Sequence, residues 1–96
     1  MIEVRQTEEF EVWLDSLRDR EAKFRIVARI RRLSLGNLGD ARSVGGRVSE
    51  LRIDHGPGLR IYFRRLGSAS VVLLTGGDKS SQRRDIERAQ VLARGL

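Results

Sequence analysis

The chain has 96 residues, of which 40% are hydrophobic and 33% charged, and its formal net charge is +6. A chain of this size forms one domain and buries roughly 60–65% of its unfolded surface around a single core. It contains no cysteine and one histidine, His55, which excludes disulfides and thiolate metal sites and argues against a histidine-based zinc site.

Ile2, Glu3, Val4 and Arg5 alternate in polarity and predict a first strand. Thr7 is placed to cap a helix whose first turn carries Glu8 and Glu9 and whose apolar residues, Phe10, Trp13, Leu14 and Leu17, recur at i, i+3, i+4 and i+7. Asp19 is placed to cap a second helix, with Ala22, Ile26, Val27, Ile30 and Leu33 on one face and Gly36 as its stop. The short connection between the two helices predicts an antiparallel helical hairpin. Residues 36–46, with four glycines, read as a connecting loop.

The period then changes to two. Residues 47–54 predict a strand, and His55-Gly56-Pro57-Gly58 a turn. Leu59, Ile61 and Phe63 alternate with Arg60, Tyr62 and Arg64, the pattern of a half-buried antiparallel strand. After a turn at residues 66–69, the continuously apolar run Val71 to Leu74 predicts a central strand covered on both faces, ended by Gly76-Gly77. Asp78 or Ser80 is placed to cap a last helix with Ile86, Ala89, Leu92 and Ala93 inside and Arg83, Arg84, Glu87 and Arg88 outside. The expected fold is α+β, in the order β-α-α-β-β-β-α, with a mainly antiparallel sheet.

The positive charge is uneven. Residues 1–46 carry nine Lys or Arg against eight Asp or Glu, whereas residues 47–96 carry ten against five. Such a field favours a polyanion or an acidic protein. All the basic residues but Lys23 and Lys79 are arginines, the side chain that binds phosphate bidentately. No segment approaches the length of a membrane span and none reads as an export signal, so a cytoplasmic location is expected.

The chemistry-bearing residues cluster between 50 and 82. If Leu51 and Ile53 share a face with Leu59, Ile61 and Phe63, then Arg52 and Arg60 share the opposite one. Two guanidinium groups so placed repel unless an anion lies between them or a carboxylate, Glu50 or Asp54, pairs with them. Gly76-Gly77-Asp78-Lys79-Ser80-Ser81 leads from strand to helix and adds Lys79 near a helix N-terminus, without the spacing of a P-loop. His55, beside the turn, has the chemistry of an acid or base near neutral pH.

The segments Glu50-Leu51-Arg52, Gly56-Pro57-Gly58-Leu59-Arg60-Ile61-Tyr62-Phe63 and Gly76-Gly77-Asp78-Lys79-Ser80-Ser81-Gln82, followed by Asp85-Ile86 and Ala89, resemble the HigB-like "addiction module killer protein" branch of the RelE/ParE superfamily. The resemblance implies a compact RelE-like fold and the toxin half of a type II toxin–antitoxin pair. It implies a cognate antitoxin, often a helix-turn-helix protein, and a site on the ribosome where mRNA is cut without a metal or other cofactor. In the ParE members the same fold inhibits DNA gyrase instead, and a plain basic nucleic-acid-binding module is a third reading of the charge.

By this resemblance Arg60 corresponds to the basic residue that contacts the scissile phosphate, Arg52 to a basic position on the preceding strand, and Lys79 to the basic region at the start of the last helix. His55 and Tyr62 are candidates for proton transfer, and Arg64, Arg83 and Arg84 for RNA binding. The chain departs from the family where RelE-like enzymes often carry a tyrosine, since Ile86 occupies that place, and it lacks the C-terminal histidine of some HigB nucleases.

Overall fold

The computed structural model describes residues 1–96. The first strand, β1 (Glu3–Gln6), is followed by helices α1 (Glu8–Ser16) and α2 (Arg20–Ser34). Four strands come next, β2 (Ala41–Gly45), β3 (Val48–Ile53), β4 (Leu59–Leu66) and β5 (Ser70–Asp78), then a single 3₁₀ turn at Lys79–Ser81 and helix α3 (Gln82–Arg94). The protein is α+β, with one five-stranded mixed sheet in the order β1-β5-β4-β3-β2. Strands β2 to β5 form an antiparallel meander, and β1 joins its far side parallel to β5. No helix is long and apolar enough to cross a membrane.

The caps explain where the helices begin. The Thr7 hydroxyl oxygen accepts from the Phe10 amide at 3.0 Å and donates to the Leu74 carbonyl at 2.6 Å, so one residue starts α1 and ties it to β5. Asp19 accepts from the Glu21 and Ala22 amides at the start of α2. Gly36 follows α2 at a φ of 92°, a conformation that an L side chain resists. Helix α1 lies chiefly on β5 and α2 on β1, and the apolar stripes of both helices enter one core against the sheet.

Residues 41–45 correct the expected loop. They form strand β2, paired with β3 through a register shift between Ser43 and Gly45, so the order gains a strand. The connection is a two-residue hairpin whose central residues, Gly46 and Arg47, have φ of 62° and 66°, the left-handed geometry that matches strand twist. The Gln90 amide of α3 donates to the Val44 carbonyl at 3.2 Å and pins this hairpin from above.

Strand β4 also departs from expectation, since both of its faces are buried from Leu59 to Phe63. Leu51, Ile53, Leu59, Ile61, Phe63, Val71 and Leu73 meet Phe10, Ile26 and Leu33 on one side of the sheet. Val48, Tyr62, Val72 and Leu74 meet Ala89 and Ala93 of α3 on the other. A bulge between Tyr62 and Phe63 in the β4–β5 ladder leaves Leu74 without a partner of its own. Gly76 closes the first core, because a Cβ there would overlap the indole ring of Trp13. Gly76→Ala is expected to destabilise the fold by about 1–3 kcal/mol, measured as a lower urea midpoint with an unchanged slope.

Candidate functional site

The β3–β4 ladder sets Glu50 opposite Tyr62 and Arg52 opposite Arg60. All four side chains therefore belong to the sheet face covered by α3, as the alternation of polar and apolar residues requires. Glu50 is completely buried. Its Oε1 accepts from Arg42 Nε of β2 at 3.1 Å, and its Oε2 accepts from the Tyr62 hydroxyl at 3.0 Å and from Gln82 Nε2 of α3 at 2.8 Å. Arg60 Nε lies 3.6 Å from the same Oε2. Burial by itself would raise the Glu50 carboxyl, but the hydrogen bonds from Gln82, Tyr62 and Arg42 outweigh it and hold the group below its ordinary value. Burial, and then the adjoining Glu50 carboxylate, push the Tyr62 phenol well above its ordinary range.

Arg60 is only 5% exposed. Its Nη1 donates to the Gly58 carbonyl at 3.2 Å, while its buried Nε makes no hydrogen bond. Gly58 has a φ of 82°, and a Cβ there would stand 3.3 Å from Arg60 Nη1 and 3.9 Å from Lys79 Cβ. The turn after β3, the guanidinium of β4 and the entry to α3 thus converge on one point. Gly77, opposite Arg60 in β5, has no room for a Cβ because the Asp85 carboxylate and Ser81 hydroxyl occupy that space.

An open cavity of about 420 Å³ lies at this end of the sheet, lined by Arg29, Asp40, Arg52, Asp54, Gly58 and Arg60 among others. Arg52 is exposed and forms no salt bridge with any carboxylate, in contrast to Arg60. Arg29 reaches in from α2, its Nη1 3.4 Å from the Arg52 carbonyl. Three guanidinium groups against the carboxylates of Asp40 and Asp54 leave this lining with an excess of positive charge, a donor set chemically suited to an anion.

The structure brings Arg52 and Arg60 to one cavity, leaves Lys79 exposed beside the Gly58 turn and outside that lining, and places the other expected residues as follows. His55 turns away, with Nε2 3.0 Å from Asp19 Oδ2, and so joins the β3–β4 turn to the cap of α2. Through this contact first, and then through the Ala22 amide, Asp19 is held below its ordinary value. Tyr62 points away from Leu59, Ile61 and Phe63 as the alternation requires, but it is fully buried, with its hydroxyl donating to Glu50. Arg64 donates to the Ala93 carbonyl at 2.7 Å and caps the C-terminal end of α3. It borders a separate depression with Arg47 and Arg94. Arg83 and Arg84 are exposed on the first turn of α3, beside Ser80, Ser81 and Glu87.

Sequence reasoning weighed Glu50 only as a neutralising partner and did not single out Arg42, Gln82 or Arg29. The usable signal for Glu50 was its two-residue offset from Arg52, which puts both on one face.

No family model matches the chain. A Haemophilus influenzae protein described as an uncharacterized protein is 46% identical to it over 95 residues, covering 99% of this chain and 96% of that one. The two belong to one family. At this identity and coverage they share the whole domain, including the elements that build the cavity.

Removing Glu50 leaves Arg60 buried without its carboxylate, and Glu50→Ala is expected to cost about 3–5 kcal/mol in denaturant unfolding. Because the folded state holds Glu50 below its ordinary value of 4.5, the unfolded chain takes up the proton first as pH falls. The stability this group contributes is therefore present above that value and is lost as pH drops through the lower, folded value. In Glu50→Gln the loss of unfolding free energy between about pH 6 and pH 3 is expected to be shallower than in the parent.

Proposed function

We propose that this protein is the toxin of a type II toxin–antitoxin pair, of RelE-like fold and in the HigB-like branch of the RelE/ParE superfamily, and that it cuts mRNA on the ribosome in the cytoplasm. The observation that carries the reading is the cross-strand pair Arg52 and Arg60, opposite one another in the ladder and both lining the same cavity. The motif segments, the two helices after the first strand, the antiparallel meander and the C-terminal helix support it.

In this reading the 2′-hydroxyl of the RNA attacks the adjacent phosphorus. The 2′-oxygen loses its proton, the bond to the 5′-oxygen breaks, and that oxygen takes a proton, leaving a 2′,3′-cyclic phosphate and a 5′-hydroxyl. The protein positions the phosphate and stabilises the charge that grows on its non-bridging oxygens. Arg60 is suited to this because its packing and its contacts to Gly58 and Glu50 fix it before substrate arrives. Arg52, exposed and without a carboxylate, supplies a second guanidinium. Lys79, at the mouth of the turn, is the candidate base or electrostatic helper.

Tyr62 and His55 serve the scaffold, the first as a donor to Glu50 and the second through Asp19. Arg64 holds α3, and Arg83 and Arg84 remain as contacts to the RNA backbone. The cognate antitoxin, a helix-turn-helix protein, silences the toxin by covering the basic cavity.

The test is mRNA cleavage in a translating extract. Arg60→Ala is expected to cut about 100–1000-fold more slowly, and Arg52→Ala, whose exposed side chain is not needed for folding, at least about tenfold more slowly. A parent protein that cuts no mRNA ends the nuclease reading, and inhibition of gyrase supercoiling by the same sample assigns the ParE activity. Cleavage by Arg60→Ala at the parent rate ends the assignment of that residue.

A further inference from the structure

A second depression, of about 450 Å³, adjoins the arginine cavity and shares Arg29, Ile53 and Asp54 with it. Its other lining includes Phe24, Arg25 and Arg32 of α2. Phe24 is 74% exposed, and its position on α2 gives it no role in either core. Glu21, the acidic residue of the helical wall, is taken by Arg25 at 3.1 Å, whereas Arg29 and Arg32 form no salt bridge with a carboxylate.

Arg29 is held between the two depressions. It donates to the Arg52 carbonyl, and its guanidinium lies against Gly39, where a Cβ would collide with it. The path from the arginine cavity to α2 thus runs from Arg52 and Arg60 past Arg29, with Asp54 as the one carboxylate common to both depressions, and ends at one exposed aromatic ring.

A single nucleic-acid strand has the complementary form, with phosphates spaced along it and a flat apolar face on every base. Aromatic stacking combined with basic tracking of the backbone is the usual way such strands are held. We propose that the groove of α2 is a nucleobase subsite, in which Phe24 stacks on a base flanking the phosphate held by Arg52 and Arg60 while Arg29 contacts the backbone between them. The inference rests on the nuclease reading for its substrate and extends it to residues that reading does not use. Phe24 and Arg29 act in binding and positioning and touch no reacting atom.

The experiment compares Phe24→Ala, Phe24→Leu, Phe24→Tyr and Arg29→Gln with the parent. The readouts are the anisotropy of a labelled single-stranded RNA of about ten nucleotides and mRNA cleavage in translating extract. Because Phe24 is exposed, its variants are expected to melt like the parent. Stacking predicts that Ala and Leu each weaken RNA binding about tenfold while Tyr binds like the parent, and that Arg29→Gln weakens binding and lowers its salt dependence.

Binding by Phe24→Leu at the parent level overturns the proposal. A loss confined to Phe24→Ala and to binding of the antitoxin assigns the ring to a protein contact, which also overturns it. If the parent binds RNA with the expected Phe24 dependence but cuts no mRNA, the subsite stands and the nuclease reading falls. If the parent neither binds nor cuts RNA, both fall.

Discussion

The structure is organised around one buried carboxylate. Glu50 has lost all contact with water, and an ionised group in that position is tolerated only where its oxygens are fully engaged. The donors come from β2, β4 and α3, so three separate elements must arrive in register for the charge to be accommodated. The same requirement gives the sheet its second covered face. Tyr62 buries its ring among Val72, Leu74 and Ala89 while its hydroxyl reaches Glu50. Arg60 is held beside the same oxygen, where its orientation is set by packing instead of by an arriving ligand. Preorganisation of this type avoids the reorganisation that a flexible surface arginine would undergo on binding.

Against this neutralised interior stands a rim in which arginines outnumber the carboxylates of Asp40 and Asp54. Arg29 and Arg52 line the cavity without salt bridges, and most of the net charge of the protein lies in the half of the chain that forms β3, β4, β5 and α3. Like charges gathered at one end of a small domain oppose compaction. A surface of that kind is stabilised when a polyanion or an acidic partner covers it. The buried ion cluster and the exposed arginines thus differ in kind: the first fixes local geometry, and the second leaves positive charge at the surface.

Much of this was legible from local patterns. The Thr7 and Asp19 caps, the apolar run of β5 and the shared face of Arg52 and Arg60 follow from side-chain spacing and need no knowledge of distant contacts. Strand β2 was hidden because Ala41-Arg42-Ser43-Val44-Gly45 has little strand propensity of its own; its conformation comes from pairing with β3 and from the turn at Gly46 and Arg47. The Gly45-Gly46 pair just before an alternating run was the available hint. The burial of Tyr62, the tethering of Arg64 to the end of α3 and the turning of His55 toward Asp19 depend on where whole helices dock. Residue spacing along one strand carries no record of that.

The parallel pairing of β1 with β5 has a consequence for the order of folding. Strand β1 lies at the sheet edge, and the neighbour it pairs with is the last strand in the chain, separated from it by both N-terminal helices and the other three strands of the meander. Such long-range closure is slow and late. Gln82, which completes the shell of Glu50, lies beyond even that strand. A chain in which β5 and Gln82 have not yet docked therefore lacks part of the shell that holds Glu50 and, beside it, Arg60.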